Sequence, residues 1–240
     1  MKLTAAIITL NEEKDLPRTL ESLGFADEVL VIDSGSVDKT VDVAMRHGAR
    51  VIQHQFKSYA DQRNFADGQA KSEWILSLDA DVVVPPKLAC EIKSAITNHQ
   101  YQAYFVGRLN IIWGKIVTVA DWGPKDDNHI WLYQKGSGGW QSDVHEQYLT
   151  NGSAGQLKER LIHYNYDTVF EYLDKINSYS DMAVKNLTKV SWFSPLIDFG
   201  KRYFYKLGFL AGYRGLFLSY LQAIYLISLK IKLRQGLYSK

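Results

Sequence analysis

Residues Trp74 to Pro86 spell WILSLDADVVVPP, an apolar run that ends on two carboxylates, Asp79 and Asp81, with only Ala80 between them. Two anions so close repel each other, so chemistry at this spacing calls for a cation beside the pair. A divalent ion held by the carboxylate oxygens relieves the repulsion and neutralises a diphosphate. Taken alone, D-x-D is a common surface turn. Here it has company, because Thr9-Leu10-Asn11-Glu12 follows the apolar run LTAAIIT and Asp33 closes EVLVID. No G-x-G-x-x-G follows the first run and no G-x-x-x-x-G-K-[ST] occurs, so neither dinucleotide nor P-loop chemistry is indicated.

The elements that must position these groups alternate. Residues 3–9, 28–33, 49–53 and 73–79 read as strands. Residues 16–23, 38–48 and 59–70 read as the intervening helices, with Gly48 as a C-terminal cap. Strand–helix alternation with short connections predicts a parallel sheet covered by helices. In such sheets ligands bind at the carboxyl ends of the strands, where Thr9 to Glu12, Asp33 and the Asp79–Asp81 pair all fall. A helix is expected over residues 87–96. Residues 104–148, rich in Trp and Gly, predict short strands and functional loops. Residues 166–190 read as a helix. Trp113, Trp122, Trp131 and Trp140 suit packing or stacking on a sugar face.

Of the 240 residues 46% are hydrophobic and 22% charged, a globular balance that excludes wholesale disorder. One cysteine, Cys90, excludes an internal disulfide and a cysteine-rich metal centre, and suits a small helix filler. The short apolar run at the N-terminus meets charges too soon for a signal peptide, so a cytosolic start is expected. The net charge of +2 is unevenly spread. Residues 1–182 hold 18 Lys and Arg against 25 Asp and Glu, whereas residues 183–240 hold 10 against one acid, Asp198. Within this basic segment Leu207 to Leu229 carries a single charge, Arg214. Its length suits a span of about 20 residues. Arg214 and basic flanks on both sides (Lys201, Arg202, Lys206; Lys230, Lys232, Arg234) favour helices lying in a membrane interface instead.

Together, ITLNEEKDLPRTLESL, DEVLVIDSGSVDKTVDVA, ADQRNFADGQAKSEWILSLDADVVVPP and VHEQY resemble family 2 glycosyltransferases of the GT-A fold. Among these the chain looks most like bacterial lipopolysaccharide core β-1,4-glucosyltransferases. The resemblance covers Met1 to about Tyr166. It implies an α/β fold with a mostly parallel central sheet and helices on both faces, as a domain over 1–182, with 183–240 an apolar, basic, helical membrane-associating tail. By resemblance, Thr9 and Glu12 line the nucleoside pocket, Asp33 hydrogen-bonds the base, and Asp79 faces the ribose or the metal. Asp81 ligates Mn²⁺ or Mg²⁺, and His163 stands beside the metal or the diphosphate. Inversion in one displacement needs a base for the acceptor hydroxyl, for which Glu146 matches the family pattern and Asp143 is the fallback.

The implied donor is a nucleotide-diphosphate sugar, UDP-glucose foremost. The implied acceptor is a lipid-linked glycan at the cytoplasmic face of the inner membrane, where the protein would be peripheral or monotopic. The expected partners include an anionic membrane surface and no nucleic acid. One departure stands out: Trp131 occupies the place of an arginine usual in such enzymes, so neutralisation of the diphosphate is expected to fall to the metal, Lys135 or another base. The alternative reading is a membrane-docked nucleotide- or carbohydrate-binding protein with an inactive site.

Overall fold

The computed structural model describes residues 2–142, 146–184 and 191–238. Two compact units emerge. One contains residues up to Arg108 and Asn128–His163, the other Leu109–Asp127 and Tyr164–Lys240. The described residues 191–238 fall in the same unit as two earlier segments and share a core with them.

The first unit follows the alternation. Strands β1 (Leu3–Thr9), β2 (Glu28–Asp33), β3 (Arg50–Gln53) and β4 (Trp74–Asp79) are joined by α1 (Leu16–Glu21), α2 (Thr40–Arg46) and α3 (Tyr59–Gln69). They lie parallel in the order β3-β2-β1-β4. A short β5 (Val82–Val83) and helix α4 (Pro86–Asn98) follow; then β6 (Ala103–Ile112), which runs on into the second unit, where it meets β7 (Lys115–Val117). Next comes β8 (Asn128–Gln134), antiparallel to both β4 and β6. Strands β9 (Gly138–Gln141) and β10 (Gln147–Thr150) pair only with each other, as a separate two-stranded sheet. β11 (Ala154–Gln156) lies parallel to the start of β6, and β12 (Leu161–Tyr166) antiparallel to β5.

Local chemistry explains the punctuation. Proline stands in the first turn of α1 and of α4, where its missing N–H costs nothing. Ser58 caps α3 by accepting from Asp61 N at 3.2 Å. Gly48, at φ +79°, closes α2 as the sequence suggests, since a side chain there would be strained. The core of this unit is the apolar filling of β1, β2 and β4, including Ile7, Leu30, Ile32, Trp74 and Leu76, all fully buried. Cys90 is exposed on α4 and fills no core.

The second unit has its own core, in which Ile112, Val117, Tyr166, Tyr172, Ile176, Leu218 and Leu221 meet. Helix α5 (Val169–Ala183) starts three residues later than the expected position 166, because Tyr166 still belongs to β12. A capping box sets that start. Thr168 Oγ1 accepts from Glu171 N, and Glu171 Oε2 accepts from the Asp167 and Thr168 amides. After α6 (Ser194–Gly200), a π-helical stretch (Lys201–Tyr205) and a 3₁₀ turn (Gly208–Ala211) precede α7 (Tyr213–Tyr238). The apolar run 207–229 is thus not one helix. It breaks where Leu207 and Gly212 take left-handed φ values of 56° and 60°.

Candidate active site

Parallel pairing in register brings three strand ends together: Thr9 stands opposite Asp33, and Ile8 opposite Asp79. The loops beyond them interlock. Asn11 N donates to Ser36 Oγ and Asn11 Oδ1 accepts from Val37 N, both at 2.9 Å. Glu12 N donates to Thr40 Oγ1 at 2.7 Å. Asp33 is wholly buried, and its carboxylate accepts from Gly35 N and Ser36 N at 3.0 Å and from Thr9 Oγ1 at 3.3 Å. An anion held this way organises the turn beneath the crevice floor.

The D-x-D turn is held from α1. Thr19 Oγ1 donates to Ala80 O at 2.6 Å, and Ala80 itself is buried, which explains the small residue between the two acids. Asp79 and Asp81 are half-buried and His163 buried; one ligand atom from each lies within 4.8 Å of the others. His163 sits there because β12 pairs with β5, placing it opposite Val82, and its Nε2 is 3.3 Å from Asp81 Oδ2.

The relief of repulsion anticipated for the acid pair comes in part from the protein. Arg63 Nη2 donates to Asp79 Oδ1, and Arg108 Nη1 donates to Asp79 Oδ2 at 3.1 Å. Burial by itself would push the Asp79 carboxyl up; the two guanidiniums outweigh it and hold the group below the usual carboxylate range. Arg63 is 1% exposed, and its Nε also donates to Glu146 Oε1 at 3.0 Å. Burial alone would favour its neutral form, but two carboxylates keep it charged. Trp131 and Trp140 lie against its guanidinium, with ring centres 5.1 and 4.8 Å from Cζ, and Trp131 also meets Arg108 at 4.9 Å. Beneath them Tyr133 donates to Asp67 Oδ1 at 2.7 Å and accepts from Trp140 Nε1 at 2.9 Å. Burial pushes the Asp67 carboxyl up to about 7, against the pull of that hydrogen bond and of Arg63.

A glycosyl transferase family 2 model matches residues 4–165. The chain belongs to that family. Relatives include an uncharacterized glycosyltransferase of Rickettsia felis, 30% identical over 78% of this chain and 71% of that protein. The lipopolysaccharide core biosynthesis glycosyltransferase LpsC of Rhizobium meliloti is 26% identical over 87% of this chain and 77% of its own. Among solved structures, S. aureus TarS shares the fold, with a TM-score of 0.50 at 16% identity over 79% of this chain. The chain spans 40% of that protein's length.

Against this family background the site residues sort clearly. Thr9, Asp33, Asp79, Asp81, Glu146 and His163 all lie in the first unit at or near the strand ends, with Glu12 on the loop after β1. Asp143 and His145 lie outside the described residues. Lys135, a sequence candidate for the diphosphate side, is turned away and donates to Gly68 O and Ala70 O at 3.2 and 2.7 Å. Among the described residues, the guanidiniums beside the D-x-D turn are those of Arg63 and Arg108. Trp131, in the place of the usual arginine, packs against both of them, so it and Trp140 serve as buried packing around arginine. Sequence reading missed both arginines. The signal for Arg63 was a charged residue inside the stripe Ala60, Arg63, Ala66, which α3 turns toward the core. The signal for Arg108 was a charge inside a largely apolar β-strand whose only other strongly polar residue is Asn110.

Proposed function

We propose that the chain is an inverting, metal-dependent glycosyltransferase that moves a sugar from a nucleotide-diphosphate donor, UDP-glucose foremost, to a lipid-linked glycan such as the lipopolysaccharide inner core. The observation that carries this reading is the joining of an acid–imidazole cluster to a separate acid: Asp79, Asp81 and His163 lie together, and Arg63 links Asp79 to Glu146. The donor set of carboxylate oxygens and one imidazole nitrogen suits Mn²⁺ or Mg²⁺. Asp79 has both oxygens engaged by arginine, so Asp81 and His163 would be the principal protein ligands, with Asp79 toward the ribose side. A bound divalent ion would supply charge neutralisation for the diphosphate leaving group. Arg108 stands ready to add to that neutralisation from the protein. Thr9, Glu12 and the Asp33 turn form the nucleoside side of the crevice. Glu146 is the general base that takes the acceptor hydroxyl's proton as the new bond forms opposite the leaving diphosphate. The name of the LpsC relative supports a glycan acceptor of the cell envelope.

The same reading places the protein on the cytoplasmic face of the inner membrane, docked through its second unit as a monotopic or peripheral protein. Helix α6 and the π-helical stretch contain Leu196, Ile197, Phe204 and Tyr205, all exposed, and have no buried residue. Tyr213–Gly236 is long and apolar enough to cross a membrane. It is nonetheless fastened within its own unit. Arg214 Nη2 donates to Trp113 O at 2.8 Å, and Lys232 Nζ donates to Asn177 Oδ1, Ser180 Oγ and Asp181 Oδ1 of α5 at 2.7 Å. A helix accompanied by α5, which carries Glu171, Asp174 and Asp181, belongs at the interface rather than among acyl chains.

Hydrolysis of UDP-, GDP- and dTDP-sugars, screened with Mn²⁺, Mg²⁺ or chelator, tests the reading without knowledge of the acceptor. Metal-dependent release of UDP from one sugar donor is expected. Binding without turnover for every donor would favour an inactive binding protein.

A further inference from the structure

The hairpin that carries Glu146 is not part of the main sheet: β9 and β10 pair only with each other. Something else must hold its acid at the strand ends. Arg63 and Asn64 of α3 do so, while their neighbour Gln62 ties the helix to the loops beyond β2 and β3. Gln62 Nε2 donates to Ser34 Oγ beyond β2 and to His54 O beyond β3, at 2.8 and 2.9 Å. Arg63 donates to Ser77 Oγ of β4 at 2.8 Å, to Asp79, and to Glu146 at 3.0 Å. Asn64 grips the hairpin backbone in both directions, with Nδ2 donating to Trp140 O and Oδ1 accepting from Trp140 N, each at 2.9 Å. Successive helical residues point about 100° apart, so a single turn of α3 reaches the loop beyond β2, the end of β4 and the β9–β10 hairpin at once.

We propose that Arg63, backed by Asn64, is a positioning residue that sets the Glu146 carboxylate relative to the D-x-D turn. The proposal rests on the reading of Glu146 as the general base. A guanidinium suits the task because its planar fork can serve three partners in fixed directions, which an ammonium cannot. Its burial between two indoles leaves it one orientation. A base misplaced by about 1 Å is costly to the chemical step.

The test is a pair of double-mutant cycles on UDP-glucose hydrolysis in Mn²⁺, combining Arg63→Lys or Asn64→Ala with Glu146→Gln. Arg63→Lys is expected to lower kcat about 100-fold, and Glu146→Gln within the 10²–10⁴-fold range usual for a base. The KM for UDP-glucose should move less than about threefold for Asn64→Ala and Glu146→Gln, because these act on the chemical step, whereas Arg63→Lys also loosens Asp79 and shifts KM as well. If Arg63 acts through Glu146, the double variant is no slower than the slower single variant by more than about threefold. Asn64 is exposed, so Asn64→Ala preserves the fold even if Arg63→Lys does not; about a tenfold fall in kcat that vanishes in the Glu146→Gln background is expected. Independent, multiplying losses in a slow Glu146→Gln background would overturn the positioning role and leave the base assignment standing. Near-normal turnover by Glu146→Gln would overturn the base assignment, and the positioning role with it.

Discussion

The two units use the same contact for opposite ends. In the first, Arg63 is sealed between Trp131 and Trp140, both buried, and each nitrogen of its guanidinium donates to a partner in the site. In the second, Lys230 and Arg234 each lie 4.8 Å from the ring of Trp192, which is 60% exposed. A buried cation–aromatic contact works in a low dielectric and holds one geometry; an exposed one is worth about 0.5–1 kcal/mol and is free to exchange partners. The first arrangement makes a rigid site. The second makes a surface with aromatic rings and cations toward whatever lies outside.

The units differ again in how they spend their charges. The basic excess of residues 183–240 suggests many cations facing an anionic leaflet. At least three of the six flanking cations form ion pairs within the second unit: Arg202 with Asp121 and Asp198, Lys206 with Asp121 and Asp126, and Lys232 with Asp181. In the proposed membrane docking, the apolar part should therefore outweigh the electrostatic part.

The largest break in the comparison should come from Asp81→Asn, which acts on the first unit alone. On the proposed metal assignment it removes a charged oxygen ligand, so UDP affinity measured by calorimetry should lose its dependence on Mn²⁺ while vesicle binding of the full chain is unchanged. Persistent Mn²⁺ dependence would move the metal to other residues. The converse variant changes Leu196, Ile197 and Phe204 together to serine. Full burial of such side chains contributes about 1.5–3 kcal/mol each, so vesicle affinity should fall by about 100-fold or more with donor hydrolysis intact. Flotation of the unaltered chain should survive added salt in larger part. Complete release by salt would show that the cations, not the apolar side chains, hold the surface.

The smallest expected effect sharpens the account of the buried network. Asp67 has its folded value raised to about 7, so the folded protein binds a proton that the unfolded chain releases near its ordinary value of 3.8. Its contribution is thus fully present at low pH and lost as pH rises toward about 7. Asp67→Asn keeps an acceptor for Tyr133 without the charge. Its melting temperature should exceed that of the unaltered protein at pH 8, at about 2–4 °C per kcal/mol gained for a chain of this size, and the gain should shrink by pH 5. An equal difference at both pH values would refute the charge-burial explanation.

Much of the site was legible because it depends on local order. Short continuous apolar runs and period-3.6 patterns place β1 to β4 and their helices, and parallel pairing then brings Thr9, Asp33 and Asp79 to one end. The T-x-x-E pattern at Thr168 to Glu171 is local as well, but the expected start at 166 did not use it; the structure's capping box sets the start at Val169. Arg63 and Arg108 were not legible, since a guanidinium's partners lie up to 83 residues away along the chain and no local pattern names them. The same holds for the second unit. Composition identified residues 183–240 as apolar and basic, and that much is sequence alone. Only the tertiary structure decided that Arg202 and Lys206 meet Asp121, that Lys232 meets α5, and that α7 shares a core with Ile112 and Tyr172. Burial and ion pairing depend on what long-range packing brings alongside each group, and residue order by itself does not contain that distance.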